Sequence, residues 1–371
     1  MQDYPGETIY KGPSFSRLWE KSAIGTLYDG KGLILTDAEV VFCKEHRGVV
    51  FDDIFDQSSY SRWLAERVKK NPNFLREVSV LEALRVSGNK IVLATNFQSL
   101  ELDAPGSWAL RWTSDCHPSR DDPVSEIVWF HSDEKLHTGK PDSKSSFEWL
   151  LNWCQEVTQR GRFAEVLVID DEQSVVTYRV SESDPRGSLA SPKIADFKSI
   201  NDMDSVSQHK GEFINDASNW PHESIGVPLH QGRQLDSVEL QLIRSYFEGD
   251  STKSFSPDKN VSPDSIIGDI SDSARILLDL WSRGLNTRSG FKYGTTWRCY
   301  PGTIGEGHAP WLVVDPTKEG PSNWSEACLS SRLASGVNKE WIYPINDGNR
   351  WRYLQISRPP SDSRWSNPKR A

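Results

Sequence analysis

Internal self-similarity, alternating helical and strand periodicity, and a glycine after each helix predict a mixed α/β chain, α+β in its sheets, written as a tandem repeat. Residues 22–39, SAIGTLYDGKGLILTDAE, return about 200 residues later as residues 224–239, SIGVPLHQGRQLDSVE. Each copy reads as a small α/β N-terminal subdomain followed by a larger α/β subdomain with a mixed sheet. The boundaries predicted are 1–57 and 58–182 for the first copy, 183–219 for a linker, and 220–262 and 263–371 for the second copy.

In chain order, each repeated segment gives a short strand, a Gly turn and a second strand. An Asp or Thr/Asp cap then opens an amphipathic helix, Ala38 to Glu45 or Val238 to Phe247, which stops at Gly48 or Gly249. Leu81 to Gly88 and Leu277 to Gly284 read as helices ended by glycine. Phe147 to Gln159 and Trp324 to Leu333 form a second helix in each copy. The strands Glu165 to Ile169 and Glu340 to Pro344 follow, with hairpin partners Ser174 to Val180 and Arg352 to Ser357. Residues 181–219, rich in Ser, Asp, Lys and Pro, carry little periodicity and read as linker. A second polar stretch, Gly249 to Pro263, separates the subdomains of the second copy.

With 371 residues, 36% hydrophobic and 26% charged, the chain can bury more than one core. A mean hydropathy of -0.57, with no run near the ~20 apolar residues of a spanning helix, argues against a membrane protein. The first residues carry neither a basic nor an apolar leader pattern. Five scattered cysteines without a CxxC pair fit a reducing compartment and no zinc ribbon, so the expected location is cytoplasmic. A net charge of -9 speaks against a nucleic-acid partner only on average. From Arg288 onward there are 12 Lys/Arg against 7 Asp/Glu, a net of +5, which leaves -14 upstream. The chain is polarised toward a basic end.

That basic end holds Gly290-Phe-Lys-Tyr-Gly, Cys299-Tyr300-Pro-Gly, Gly307-His308-Ala-Pro and Arg332-Leu-Ala-Ser-Gly-Val-Asn-Lys339. In motif order and spacing this resembles the tRNA-splicing endonucleases of archaeal type, in a fused two-repeat form. The resemblance covers the C-terminal quarter closely and, through the repeat, most of the remainder loosely. It implies Tyr300, His308 and Lys339 as catalytic residues and a nuclease-like fold for the larger subdomain. The chemistry suits those residue types. Cutting RNA without a metal needs a proton taken from the 2′-hydroxyl, one given to the leaving 5′-oxygen, and charge stabilised on a pentacovalent phosphorane. An imidazole titrates near ~6.5 and serves as acid near neutrality. Lysine is a compact cation for the equatorial oxygens. A phenol, with a pKa of ~10, is a poor base unless cations lie beside it, so tyrosine acts as base or orients the nucleophile. The products expected are a 2′,3′-cyclic phosphate and a 5′-hydroxyl.

The resemblance further implies that Arg332 and Arg358, from different subunits, sandwich a bulged base between guanidinium planes, and that Trp365 packs near the end of the chain. In the first copy, Arg111-Trp112-Thr113, Val124-Ser125 and Ala164 stand where the trio should be, so that copy is expected to be inactive. Its acidic loop Asp170-Asp171-Glu172 is expected to plug a basic pocket on a neighbouring unit. His117, His131 and His137 read as surface or loop residues. The partners implied are precursor tRNA with bulge-helix-bulge sites and a second copy of the chain in a homodimer, with no membrane, metal or other cofactor. The alternatives are a non-catalytic structural or RNA-binding subunit of a heteromeric enzyme, and a metal-dependent DNA nuclease. The latter would need a carboxylate partner for Asp315, which the sequence does not supply.

Overall fold

The structure is a computed structural model that describes residues 7–51, 57–137, 139, 142–247, 256–262, 269–348 and 350–367. The chain divides into two compact units, Met1–Ser181 with Ser322–Glu326 and Ser357–Ala371, and Glu182–Pro321 with Ala327–Ile356. No helix among the described residues is long and apolar enough to cross a membrane.

The first unit opens with β1 (Glu7–Tyr10), α1 (Phe15–Ser22), β2 (Thr26–Tyr28), β3 (Gly32–Thr36) and α2 (Asp37–Arg47), the three strands forming an antiparallel sheet in the order β1-β3-β2. Thr36 caps α2 and Glu39 reaches back to the Thr36 amide, a reciprocal capping box, and Gly48 closes the helix with φ 61°. Next come α3 (Gln57–Lys70), α4 (Phe74–Val86), β4 (Lys90–Leu93), β5 (Ala109–Trp112), β6 (Ser125–His131), α5 (Phe147–Gln159), β7 (Phe163–Ile169) and β8 (Val175–Ser183). Within this unit the strands run in the order β8-β7-β6-β5-β4. Only β6 and β7 are parallel, because α5 carries the chain back between them. The core gathers Leu33, Val40, Phe42, Leu81, Leu84, Ile127 and Leu167. Each such side chain contributes roughly 1.5–3 kcal/mol by leaving water.

The second unit repeats the plan. In it are α6 (Ile194–Asn201), β9 (Ser205–Gln208), β10 (Gly211–Ile214), β11 (Val227–Leu229), β12 (Gly232–Asp236), α7 (Ser237–Phe247) and α8 (Asp272–Ser282), then β13 (Asn286–Ser289), β14 (Trp297–Tyr300), β15 (Trp311–Val313), α9 (Pro316–Glu319), α10 (Trp324–Gly336), β16 (Glu340–Asn346) and β17 (Trp351–Ser357). The small sheet is β11-β12-β10-β9, and the larger one within this unit is β13-β14-β15-β16-β17 with β15 and β16 parallel across α10. Ile276, Leu277, Leu280 and Trp281 place one stripe of α8 on the inner face of that sheet, against Trp297, Cys299, Val313, Ile342 and Tyr353.

The structure departs from the sequence expectations in three places. Residues 183–219, expected as linker, hold α6 and the β9–β10 hairpin, and β10 pairs with β12 as β1 pairs with β3. The second copy therefore begins before Trp220. Residues 357–371, expected to close the second copy, belong to the first unit. There Trp365 and Thr177 exchange hydrogen bonds of 2.8 and 2.9 Å, and the Trp365 ring covers Arg111 at 4.8 Å. His117, read as a surface or loop residue, does lie in the loop between β5 and β6 but is buried there rather than at the surface, with Nε2 3.0 Å from the Trp19 carbonyl. Gly249, and the stretch Gly249 to Pro263 apart from residues 256–262, lie outside the described residues.

Candidate active site

Tyr300 is the last residue of β14, where strand alternation decides its direction. Trp297 and Cys299 point into the core, so Arg298 and Tyr300 point to the opposite face, half-buried. Burial pushes the Cys299 thiol well up from its ordinary value, so it stays protonated and offers no nucleophile.

Register then brings the sequence motifs together. Cys299 faces Trp311 across the antiparallel pair, and Trp311 faces Glu340 across the parallel pair. One step outward, Tyr300, Pro310 and Lys339 fall in one row across three strands, and the Glu340 amide donates to the Pro310 carbonyl at 2.8 Å. Two strand spacings separate Tyr300 from Lys339, so their backbones are ~10 Å apart and their side chains leave the same side of the pleat. His308 lies two residues before Pro310, exposed at the edge of this row. Lys339 Nζ donates to the Ala309 carbonyl, the residue after His308, and sits 5.5 Å from the Tyr293 ring centre. A tight turn fixes the start of β16: Asn338 takes φ 54°, and the Lys339 amide donates to Ala334 at 3.0 Å.

The loop after Tyr300 is anchored by Glu223. Its carboxylate accepts from Thr303 Oγ1 at 3.2 Å, the Ile304 amide at 3.3 Å and Asn286 Nδ2 at 2.9 Å. Arg288, on β13, donates to the Thr287 carbonyl at 2.6 Å and to the Glu223 and Ser224 carbonyls; burial pushes its pKa down, against the charge of Glu239. Asp315 is a structural residue. Its buried carboxylate accepts from Ser273, from the Thr317 amide and hydroxyl, and lies 3.1 Å from Lys318 Nζ. Burial pushes it up, but these donors together hold it below the usual carboxylate range. With its lone pairs used in capping α9, it is not free to ligate a metal.

Two residues beside the trio were not singled out from the sequence. Arg298 carries its guanidinium 5.8 Å from the Tyr300 ring centre, and its Nε is buried with no hydrogen-bond partner among the described residues. Its position two residues before Tyr300 on a strand is the signal that finds it. The other is Tyr293, which the FKYG motif contains. The cation over the Tyr300 ring is thus Arg298, whereas Lys339 faces Tyr293. Of the two arginines, Arg332 is exposed on α10, and Arg358 is exposed among residues of the first unit.

In the first unit, strand register places Trp112 opposite Lys90, as Tyr300 is opposite Asn286. Ser125 faces both Arg111 and Phe163, so the residues matching His308 and Lys339 are Asp122 and Arg162. Arg162 replaces the expected Ala164. It donates to Glu126 and to the Asp103 carbonyl, both at 2.9 Å. Trp112 is buried and spends its indole N–H on Asp121. Here the sheet survives and the constellation does not.

The second unit is thus an α/β domain whose sheet carries Tyr300 and Lys339 in one row across three strands, with His308 two residues before Pro310 of that row. The family model for the tRNA intron endonuclease, catalytic C-terminal domain, matches residues 272–353, a span that holds Tyr300, His308, Arg332 and Lys339 and stops short of Arg358. The tRNA-splicing endonuclease of Methanothermobacter thermautotrophicus is 30% identical over 128 residues, 32% of this chain and 75% of that protein. Those of Thermoplasma volcanium and Picrophilus torridus are 29% and 25% identical over 194 and 193 residues, 51% and 52% of this chain. The match spans about half the length of these two, 53% and 55%. This chain belongs to the tRNA-splicing endonuclease family.

Proposed function

We propose that the protein excises introns from precursor tRNA in the cytoplasm, cutting at bulge-helix-bulge sites by metal-independent attack of the 2′-hydroxyl. The carrying observation is the shared row of Tyr300 and Lys339, with His308 beside the carbonyl that Lys339 holds. Tyr300 would take or orient the 2′-hydroxyl proton, with the Arg298 guanidinium beside its ring. His308, exposed and able to reach a substrate, would protonate the leaving 5′-oxygen. Lys339 would offset the charge developing on the phosphorane. Arg332 and Arg358 would clamp the bulged base, one from each of two subunits.

Two cuts per intron call for two sites, whereas the chain carries the trio once. A homodimer of fused chains supplies the second, with the acidic loop of the first unit as an inter-unit contact. The test is cleavage of an intron-containing precursor tRNA in EDTA. The expected products carry 2′,3′-cyclic phosphate and 5′-hydroxyl ends, and a 2′-deoxy substitution at the cleaved nucleotide abolishes cutting there. Loss of activity in EDTA, or cutting of the deoxy substrate, overturns the proposal.

A further inference from the structure

Residues 184–191, expected as linker, form a strap on the second unit. Its Gly187 amide donates to Arg283 at 2.9 Å, Ser188 to Pro301 at 2.7 Å and Leu189 to Gly284 at 3.1 Å. The approach is close enough that a Cβ on Gly187 would fall 2.0 Å from the Gly284 carbonyl oxygen, so the strap can lie here only as glycine against glycine. Between strap and site is a cavity of about 410 Å³, with Tyr300, Gly302, Thr303 and Glu306 on one wall and Arg186 and Ser188 on the other. Both walls are held in place beforehand. Main-chain hydrogen bonds fix the strap, and Glu223 fixes Thr303 and Ile304.

Arg186 is oriented as well as exposed. Its Nε donates to Asp184 at 2.7 Å, and Asp184 is held in turn by Arg283 at 2.6 Å, which leaves the outer guanidinium N–H groups for a ligand. We propose that this cavity is a binding site for one nucleotide of the RNA strand next to the cleaved phosphate. Arg186 binds its phosphodiester oxygen, and the hydroxyl oxygens of Ser188 and Thr303, whose own protons go to Pro301 and Glu223, accept with the Glu306 carboxylate from hydroxyl and amino groups of its ribose and base. The volume falls within the ~300–1,000 Å³ of small-ligand pockets, at the low end that takes one nucleotide rather than a stacked run. Glu306 in the wall favours a singly charged diester over a free phosphate dianion. The inference rests on the RNA-cleaving role proposed above, since Tyr300 makes the cavity continuous with that site.

The test measures binding of a bulge-helix-bulge RNA across monovalent salt, in a His308→Ala background that slows cutting, and cleavage in the wild-type background. Arg186→Ala is expected to weaken binding about 5- to 10-fold near 0.1 M salt and to reduce the log–log salt slope by ~0.7, one phosphate contact. Arg186→Lys, which keeps the charge, should restore the slope. In cleavage, KM rises while kcat holds. Gly302→Leu tests the cavity without a charge change: a Cβ there meets only Ser188 Oγ, at 3.4 Å, so the side chain fills the space without backbone strain. It should weaken binding at every salt concentration with the slope unchanged. Arg186→Ala or Gly302→Leu proteins that bind and cut like their parents overturn this inference alone. Wild-type protein that leaves the RNA whole overturns the functional reading and this inference with it.

Discussion

Lys339 binds the carbonyl of Ala309, the residue that follows His308 in the chain, and the two side chains differ in setting. The ammonium group is half-buried and already tethered, suited to a fixed charge, whereas the imidazole is exposed and free to meet a leaving group. A group that only delivers a proton adds little to ground-state affinity. His308→Ala should therefore lower single-turnover cleavage by about two to four orders of magnitude and leave the RNA dissociation constant within a few-fold. Affinity falling in step with rate would make His308 a binding residue. Arg298 shows why some of the site escaped the sequence. It carries no motif of its own, and only the two-residue period of a strand ending at Tyr300 sets it against that ring.

Among the elements, the two capping-box helices show how one sequence pattern supports different energetics. In α2, Glu39 accepts from the Gly25 amide at 2.9 Å and pairs with Arg85 at 3.1 Å, both side chains almost fully buried. In α7, Glu239 accepts from the Gly226 and Asp236 amides at 2.8 and 2.9 Å, but Trp281 stands at the place in α8 that Arg85 holds in α4. Burial, then the charge of Asp236, pushes Glu239 up to about 8, against those amides and Arg288. A carboxyl with a raised folded-state pKa favours the folded state in its protonated form. That stability is complete below its unfolded value of ~4.3 and is lost as pH rises through 8. Urea unfolding followed by tryptophan fluorescence should show Glu239→Gln carrying a constant cost, from an amide facing the Asp236 N–H, while losing part of the decline seen in the parent between pH 5 and 8, on the order of a few kcal/mol. Parallel stability curves for parent and variant would show that Glu239 does not titrate there.

These elements were legible because their signals are local: a cap with Glu three residues on, a glycine after a helix, a motif within a few residues of a strand end. The β9–β10 hairpin was not, because all four residues of β9 are exposed and an edge strand wet on both faces shows no alternation. Nor was the equivalence of Arg162 with Lys339. The sequence alone points to Ala164 there, and only hydrogen-bonded register fixes the match. The packing of Trp365 on Arg111 joins residues far apart in sequence, which no local period reveals.

For the whole molecule, the proposed assembly is tested at the turn between β7 and β8. Asp171 and Glu172 are exposed there. Asp171 accepts from His131 at 3.0 Å and lies 3.9 Å from Arg76, and with its side chain exposed to water these contacts are weak ones. Asp170 differs, since its Oδ1 accepts from the Ser174 amide at 2.8 Å and closes the turn. Replacing Asp170 would thus confuse a folding defect with a lost contact, and the informative change is Asp171→Lys with Glu172→Lys. If the loop meets a basic pocket of a neighbouring unit, reversing two charges sets like against like at that contact. Charge reversal at an interface weakens association and slows encounter, most strongly at low salt. Sedimentation at about 0.15 M salt should then show the lighter species gaining over the heavier one, with an unchanged far-ultraviolet spectrum and melting temperature. Cleavage of a precursor needing two cuts should fall at low protein concentration and recover at high concentration, because mass action restores the assembly. A variant that sediments and cuts as the parent does at every concentration would place the inter-unit contact elsewhere and leave this turn as an ordinary acidic hairpin.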